Sequence, residues 1–577
     1  MTSPDSVEEV TKRHGVLRRS GGVGGSALLA GGAVGSAVLL SLFAAPAGAV
    51  TTFTVDTNAD GVANASDCTT PVANSCSLRD ALDAATTDGD IIVFDAALSG
   101  QTISLSEGQL EITAGITITG LGSANLTVDA GGTSRVFYIY TATTGVEVAI
   151  SGLSIIDGDA QGVFGGGIYD VHDGDLTLDD VSITGCDADH GGGIYKDGDG
   201  TIEIVDSTIS DNYARLSAGA LYNNGEGDLI ITNSTFDGNS ADGDGGVGEL
   251  GNTGNVTITD STFSNNTANG AGGAIYFDSG VNDVSISGST FSDNEANSSG
   301  GGGAIYAVNG GSFTISSSTF SGNYSDSWGG ALYMGSTGQV ITITDSLFVD
   351  NSSADEGGAV DFDAPDQIVT INNSTFVDNA SGSDGGAIWK EEGGSLTINM
   401  STITENSSVT DGGGVWFDGD TAGNAAQADV TITGTILTGN TGFEGAADDL
   451  GSRDGATSQV ATISDSILGV VKATITVTAS NNIDATAPGF VLGLAALADN
   501  GGATETMALL TGSPAIDAGP ATVPTFLGND FDQRGTPYVR VYNGQSDIGA
   551  FELQPDPTPA TTTTVASDES VVPTFTG

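Results

Sequence analysis

Three carboxylates recur at one position of successive repeats in the second half of this 577-residue sequence. They are Asp363, Glu391 and Asp418, and Trp389 and Trp416 lie two residues before the last two of them. Two carboxylates at a suitable separation can hydrolyse a glycosidic bond. The pattern therefore predicts a candidate catalytic site for a glycan. The competing interpretation, which the composition favours, is a solvated acidic surface in a chain with 73 Asp and Glu.

A second candidate site lies in residues 56–67, which have the pattern D-x-N-x-D-G-x5-D. In a calcium-binding loop, oxygens at positions 1, 3, 5 and 12 and the carbonyl at position 7 converge on the ion. Here the ligands would be Asp56, Asn58, Asp60, Asp67 and the carbonyl of Val62. The preceding segment, 51–55, is predicted to be a strand, which excludes a true EF-hand. The pattern makes this loop a candidate calcium site. The competing interpretation, which an acidic chain favours, is an Asx-rich turn without an ion.

The three cysteines suggest one disulfide rather than a metal site. Cys68 and Cys76 are close in sequence, and export of the chain would favour a bond between them. Cys186 would then be unpaired. The sequence contains only three histidines and offers no Cys/His metal cluster.

Two motifs with a period of about 27 residues run through residues 165–416 and position the three carboxylates. The first motif, typified by GGAIY, occurs at 165–169, 191–195, 218–222, 272–276, 302–306, 329–333, 357–361, 385–389 and 412–416, with a degenerate copy at 245–250. The glycine pairs indicate tight turns or close backbone contacts. Whether the aromatic position of this motif points inward or outward stays open, although the variable residue after it favours an outward orientation for itself.

The second motif, typified by STFSGN, follows a short alternating segment such as VTIT at 256–259. Its aromatic position is Phe236, Phe263, Phe291, Phe320, Phe348 and Phe376, and its last position is Asn212, Asn239, Asn266, Asn294, Asn323, Asn351, Asn379 and Asn406. Stacked phenylalanines can fill a narrow core, and stacked asparagines can hydrogen-bond along an axis. Counting back one repeat places Cys186 at the asparagine position.

Each repeat therefore contains three strand-sized segments, and none has the length and period of a helix. Winding the chain into coils stacks identical positions, and crossovers between parallel strands are right-handed. We predict an all-β, right-handed parallel β-helix. The best helix of the chain, around residues 77–85, has a capping box of Ser77 and Asp80 and is expected to cover the N-terminal end.

The ends of the chain carry targeting and linker signals. Four basic residues between positions 12 and 19, an apolar run and Ala-Gly-Ala at 47–49 predict a cleaved signal peptide. Both Sec and twin-arginine export stay open. We therefore expect a secreted or cell-surface protein without a membrane span after cleavage. The Pro/Thr-rich residues 555–577 are predicted to be a disordered tail.

Three segments resemble known families. CSLRDAL at 76–82, followed by DGDIIVFD, resembles the CSLREA domain of exported bacterial β-helix proteins. The GGAI and FxxN motifs resemble repeats of polymorphic outer-membrane proteins. SPAIDAG, DQRG and DIGAFE, between 513 and 552, resemble the choice-of-anchor Q domain. No outer-membrane barrel follows, so autotransport is not implied, and these families imply no known reaction.

These resemblances and patterns divide the chain into five parts. They are a signal peptide (1–49), a CSLREA-like cap (50–100), the β-helix (101–490), a choice-of-anchor Q-like region (491–554) and the tail (555–577).

The charge of −60 excludes nucleic acid as a partner, because phosphates would be repelled. We expect a monomeric surface adhesion, structural or glycan-binding module without catalysis, with an extracellular polysaccharide or a neighbouring cell surface as its partner. The alternative is a polysaccharide lyase or glycoside hydrolase. A lyase acting on acidic sugars usually needs several cations, and residues 160–440 hold only Lys196, Arg215 and Lys390.

Overall fold

The alternating β-branched segments form short parallel strands that stack coil on coil into a right-handed parallel β-helix, as predicted. The computed structural model describes residues 49–555 except 71–73, 161, 299, 309, 392, 419–427 and 454–458. The predicted signal peptide, apart from its last residue, and the tail after residue 555 lie outside the described residues. Among the described residues, no helix is long and apolar enough to cross a bilayer.

Face 1 of the solenoid is a sheet with one strand from each of 13 coils. The first and third residues of these strands point into the core and the second points outward. The strands are Leu110–Ile112, Phe137–Ile139, Ile168–Asp170, Ile194–Lys196, Leu221–Asn223, Gly248–Leu250, Ile275–Phe277, Ile305–Ala307, Leu332–Met334, Val360–Phe362, Ile388–Lys390, Val415–Phe417 and Leu450–Ser452.

Face 2 is a 29-stranded sheet in which most coils contribute two short strands. A residue with positive φ separates them, such as Asp260 or Asn373. The strands are Thr52–Val55, Ile91–Phe94, Gln101–Ser104, Thr117–Thr119, Leu126–Asp129, Val148–Ile156, Leu176–Thr184, Ile202–Val205, Thr208–Ser210, Leu229–Thr232, Thr235–Asp237, Val256–Thr259, Thr262–Ser264, Val284–Ser287, Thr290–Ser292, Phe313–Ser316, Thr319–Ser321, Val340–Thr344, Leu347–Val349, Ile368–Asn372, Thr375–Val377, Ser395–Asn399, Thr402–Thr404, Asp429–Thr433, Ile436–Leu437, Gln459–Ser464, Ile467–Leu468, Ile475–Ser480 and Ile483–Asp484.

Face 3 is a sheet of nine short strands between faces 2 and 1. They are Asp187–His190, Tyr213–Ser217, Ser240–Ala241, Thr267–Ala268, Glu295–Ala296, Tyr324–Ser325, Ser352–Ser353, Ala380–Ser381 and Ser407–Ser408. The remaining elements are the helices Ser66–Thr69 and Leu78–Ala84, the 3-10 turns Ala96–Leu98 and Phe443–Gly445, and an antiparallel pair, Leu494–Ala498 and Thr506–Leu509.

The core contains the predicted column of phenylalanines. The six rings from Phe236 to Phe376 are fully buried, and consecutive centroids lie 4.6–4.9 Å apart with nearly parallel planes. Burial of these large apolar side chains and offset contacts between their rings stabilise neighbouring coils together. The inward orientation predicted for this motif is confirmed.

Two polar ladders run beside the phenylalanine column. Each buried asparagine donates from its side-chain amide to the side-chain oxygen of the next, as Asn294 does to Asn323 at 3.0 Å. Cys186 takes the asparagine position as predicted, and its backbone N–H donates to Asn212. The motif serines form a second ladder, in which the Ser318 hydroxyl accepts from the N–H of Ser289. Ser318 is fully buried, because its hydroxyl pairs with the coil before it.

The variable residue after the aromatic position of GGAIY points inward, contrary to the expectation. Side chains alternate with a period of two along a strand, so this residue shares the core side with the isoleucine two positions earlier. Lys196 and Lys390 occupy it and are fully buried. The aromatic residue between them and the isoleucines consequently points outward, although Tyr195, Tyr333, Trp389 and Trp416 are only 4–8% exposed.

The glycine pairs have the predicted role. Gly329 has a φ of 59°, and a Cβ there would lie 2.1 Å from the Leu332 carbonyl oxygen. At Gly330 a Cβ would lie 2.0 Å from the Gly358 carbonyl oxygen of the next coil. The first glycine thus permits the turn and the second permits close stacking of coils.

The N-terminal end is covered by the helix Leu78–Ala84. Its capping box is formed by Ser77 and Asp80, as predicted. Cys68 and Cys76 form a disulfide beside this helix. The parallel sheet begins at Thr52–Val55, which pairs with Ile91–Phe94, so the first coils start inside the segment assigned to the cap.

The region after the last coil folds back along the outer side of face 2. Gln533 accepts a hydrogen bond from the Thr375 hydroxyl at 2.6 Å, and the guanidinium of Arg540 donates to Asn373 at 2.6 Å. Met507 packs against Leu347 and Val377. The C-terminal region therefore lies against the side of the solenoid across several coils.

Candidate functional site: the outer aromatic column

The outward residues of face 1 form a column of aromatic side chains along the solenoid axis. In-register pairing of the strands aligns them from coil to coil. The members are Tyr138, Tyr169, Tyr195, Tyr222, Tyr276, Tyr306, Tyr333, Trp389 and Trp416. We call this set the aromatic column.

Most neighbouring rings in the aromatic column stack face to face, whereas Tyr169 and Tyr195 meet edge to face. Tyr195 and Tyr222 have centroids 4.9 Å apart, and Tyr306 lies 5.1 Å from Tyr276 and 4.6 Å from Tyr333. Trp389 and Trp416 lie 5.2 Å apart with planes inclined by 9°. Since each ring covers its neighbour's faces, the column offers ring edges and phenol hydroxyls to its surroundings.

Two carboxylates interrupt the aromatic column. Glu249 aligns with Tyr222 and Tyr276, and it accepts a hydrogen bond from the Tyr222 hydroxyl at 3.3 Å. Asp361 aligns with Tyr333 and Trp389. Burial raises the pKa of both carboxyl groups. These two positions divide the column into three aromatic segments.

Asp361 is the more unusual of the two. It is 1% exposed, and its Oδ1 has no hydrogen-bond partner among the described residues. Burial raises its pKa well above the ordinary value, and the charges of Asp363, Glu356 and Glu391 raise the pKa further, against the opposing effect of Lys390. A raised pKa favours the protonated form of a carboxyl group, which can donate a proton.

Asp363 and Lys390 lie beside Asp361. The Asp363 carboxylate accepts a hydrogen bond from the Tyr333 hydroxyl at 2.6 Å, which opposes the rise in its pKa caused by burial. The Lys390 ammonium donates to the Glu391 carbonyl at 2.8 Å, and burial lowers its pKa to about 8. The cluster therefore combines two carboxyl groups whose pKa values are raised by burial with a lysine whose pKa is lowered by burial.

The three carboxylates singled out in the sequence have different surroundings. The charges of Asp363 and Glu391 both raise the pKa of Asp361, so the structure brings these three residues into one cluster. Asp418 is buried and forms an ion pair with Arg453 at 2.6 Å. Asp361 itself was missed. Its signal in the sequence is that it stands where almost every other GGAIY repeat has an aromatic residue.

The residues of the predicted calcium loop have protein partners in the structure. Asp60 forms an ion pair with Arg79 at 2.7 Å. The Asp56 carboxylate accepts from the N–H groups of Asn74 and Cys76. These contacts hold the loop against the capping helix.

The other loop positions are more dispersed. Asn58 donates to the Thr102 carbonyl, the Val62 side chain is exposed, and Asp67 lies in the short helix Ser66–Thr69. In the part of the chain that the structure describes, no group of three or more His, Cys, Asp and Glu side chains could hold a metal ion. Calcium binding at this loop stays a prediction.

Comparison with known proteins supports the fold. A family model described as "right handed beta helix region" matches residues 245–485. A mannuronic acid specific polysaccharide family 6 lyase from human gut microbiota is 11% identical, with a TM-score of 0.35, over 75% of this chain and 91% of that chain. Pectate lyase Pel9A is 12% identical, with a TM-score of 0.26, over 87% of this chain and 96% of its own. No curated protein matches the sequence. At these identities, the likeness to the two lyases carries no argument about activity.

Proposed function

We propose that this chain is an exported, extracellular β-helix that binds neutral polysaccharide along the aromatic column without cleaving it. The observation that carries the proposal is the column itself, which repeats one outward aromatic residue per coil over most of the solenoid. A linear polymer lying along the axis can contact several coils at once. Such repeated contacts strengthen binding through their high effective concentration.

The charges near the aromatic column favour an uncharged ligand. The carboxylates Asp197, Asp278 and Asp363 each follow a column tyrosine or aspartate by two residues and can accept hydrogen bonds from sugar hydroxyls. Lys196 and Lys390 are buried inside the coils. Anionic polysaccharides would be repelled by this surface.

The third cation of residues 160–440, Arg215, is engaged on face 3. It forms ion pairs with Asp187 and Asp189. The disulfide between Cys68 and Cys76 supports the export part of the proposal, because disulfides persist in oxidising compartments. A carbohydrate on a cell surface or in the extracellular matrix would be the partner.

Replacing Tyr306 by alanine should weaken binding to a neutral polysaccharide about tenfold, the usual effect of truncating an aromatic contact in a binding surface. Tyr306 is suitable because it stacks between two other tyrosines in the middle segment of the aromatic column. Calorimetry with a panel of neutral polysaccharides and matched polyuronates would measure the change.

The control for this variant is Ser285→Ala, which changes an exposed residue on face 2. It should leave affinity unchanged. Binding only to the polyuronates, or equal affinity of Tyr306→Ala and the parent, would contradict the proposal.

A second candidate function is glycoside hydrolysis at the Asp361 cluster. The raised pKa of Asp361 suits a general acid, and the Tyr333 hydrogen bond, which opposes the rise in the pKa of Asp363, suits a base or nucleophile. Two carboxyl groups with separated pKa values are the usual arrangement for this reaction. The near-complete burial of Asp361 favours binding over catalysis.

The parent protein is expected to release no reducing sugar from neutral polysaccharides. If it does release reducing ends, Asp361→Asn should abolish the release while keeping the fold, because asparagine resembles the neutral acid in shape. Glu249→Gln, at the other interruption of the column, is the matched control and should keep full activity. Loss of activity in Asp361→Asn alone would replace the binding proposal with a hydrolase.

A further inference from the structure

A cluster of three polar side chains lies inside the first half of the solenoid. Asp170 and Lys196 are the inward residues at the ends of two consecutive face 1 strands, and they pair in register. His172 lies two residues beyond Asp170. The side chains of all three are fully shielded from solvent.

The two oxygens of the Asp170 carboxyl group have different surroundings. Oδ1 accepts from the backbone N–H of His172 at 3.0 Å and contacts Nδ1 of the same imidazole. Oδ2 has no hydrogen-bond partner among the described residues and lies 3.2 Å from Nζ of Lys196. Nζ is held in place by donating to the His172 carbonyl at 2.7 Å.

This arrangement resembles the geometry of acyl transfer. The backbone N–H of His172 and, in the tautomer protonated at Nδ1, its imidazole converge on one carboxyl oxygen, where they can stabilise negative charge that develops during attack on the carbon. The amine nitrogen lies on the side of the other oxygen, which has no competing donor. Holding both reactants in place in this way can lower the barrier to an otherwise slow reaction by a large amount.

Burial also favours reaction over a lasting ion pair. Removing an ammonium and a carboxylate from water costs several kcal/mol for each ion. A proton passing from Nζ to Oδ2 removes both charges and leaves an amine beside a carboxylic acid. The interior excludes water, so an amide formed there would be protected from hydrolysis.

We propose that Lys196 and Asp170 condense into an intramolecular amide bond that links two consecutive coils. After the proton transfer, the Nζ lone pair attacks Cγ of Asp170 and forms a C–N bond, and the electron pair of the carbonyl moves onto Oδ1, opposite the His172 donors. A proton then moves from nitrogen to Oδ2, the C–Oδ2 bond breaks, and Oδ2 leaves as water. The carbonyl re-forms at Oδ1, so one water is the only by-product and no oxidant or cofactor is needed.

Lys390 provides an internal control for this reaction. It occupies the same inward strand position and is equally buried, but its in-register neighbours are Phe362 and Phe417. No carboxyl group therefore lies in register with it on the adjacent strands, although Asp361, Asp363 and Glu391 lie near its ammonium. Lys390 should stay a free amine while Lys196 does not.

The test is mass spectrometry of the purified full chain after reduction and denaturation. The intact mass should be lower than the sequence mass by one water molecule, after allowance for signal cleavage. Trypsin should cleave after Lys390 and not after Lys196, and one branched peptide should contain both Asp170 and Lys196. Lys196→Arg should restore the full sequence mass, and His172→Ala should lower the fraction that has lost water.

The opposite results would overturn the proposal. A wild-type chain at its full mass, with Lys196 cleaved by trypsin and labelled by an amine reagent in the denatured state as readily as Lys390, excludes the amide bond. Complete water loss in the His172→Ala variant would exclude the role given to His172. Neither outcome depends on the glycan-binding proposal.

Discussion

Phe320→Ala should lower the free energy of unfolding of its part of the solenoid by about 3–5 kcal/mol. The ring is fully buried and stacks on Phe291 and Phe348 at 4.9 and 4.8 Å, so truncation removes apolar burial and leaves a cavity between coils. Neighbouring coils cannot collapse into the space, because their strands are held in register on both sides. Thermal unfolding and amide hydrogen exchange would measure the loss.

Thr314→Ala is the matched control for Phe320→Ala, because Thr314 is an exposed residue of the same coil. Its effect should stay within about 0.5 kcal/mol, as for most surface substitutions. Similar losses of stability in the two variants would show that the phenylalanine column does not stabilise the core.

Arg540→Ala should release the C-terminal region from the side of the solenoid, at a cost of about 3–5 kcal/mol. Arg540 is 1% exposed, and its guanidinium donates to Asn373 and to the carbonyls of Gly549 and Ala550. Several buried acids face it, among them Asp345 and Glu552, and the substitution would remove the positive charge that acts on them. Limited proteolysis between residues 494 and 553 would detect the release.

The pH dependence of this variant follows from the same acids. Burial raises the pKa of Asp345 to about 7 and of Glu552 to about 7, although Arg540 opposes the rise in both. The docked state therefore binds more protons than the released state, so docking weakens as pH rises through 7 and strengthens below it. Docking of the C-terminal region in Arg540→Ala should therefore be partly restored at pH 5–6.

Val541→Ala is the control for Arg540→Ala, because Val541 is an exposed neighbour. If Arg540→Ala resisted proteolysis as well as the parent at pH 8, the role given to this arginine would be refuted.

The repeated part of the fold could be predicted because each position is repeated in sequence. Phe320 and Asn323 recur at the same places in coil after coil, and stacking is the arrangement that gives every copy the same environment. The direction of the face 1 side chains could not be predicted. Those strands are only three residues long, and the inward third position tolerates lysine because its ammonium reaches carbonyls at the end of the strand.

The candidate site was only partly predictable for a related reason. Asp363 and Glu391 were found through their repeat position, whereas Asp361 becomes significant only once its neighbours are known to form the outer column. The pairing of Asp418 with Arg453 depends on a later coil of unusual length. The contact between Arg540 and Asn373 joins residues 167 positions apart, and neither residue belongs to a pattern that marks the other.

The asparagine ladder also has a direction. From Asn212 to Asn440 every side-chain amide donates toward the C-terminus, and the last one donates to the Asp449 carboxylate at 2.9 Å. The amide dipoles are therefore aligned, with their positive ends directed at a single acidic group. An α-helix has the same polarity, with an acidic residue favoured at its positive end. The asparagine ladder thus gives the solenoid core a dipole along its axis, built from side chains instead of peptide groups. The Asp449 carboxylate lies at the positive end of this dipole.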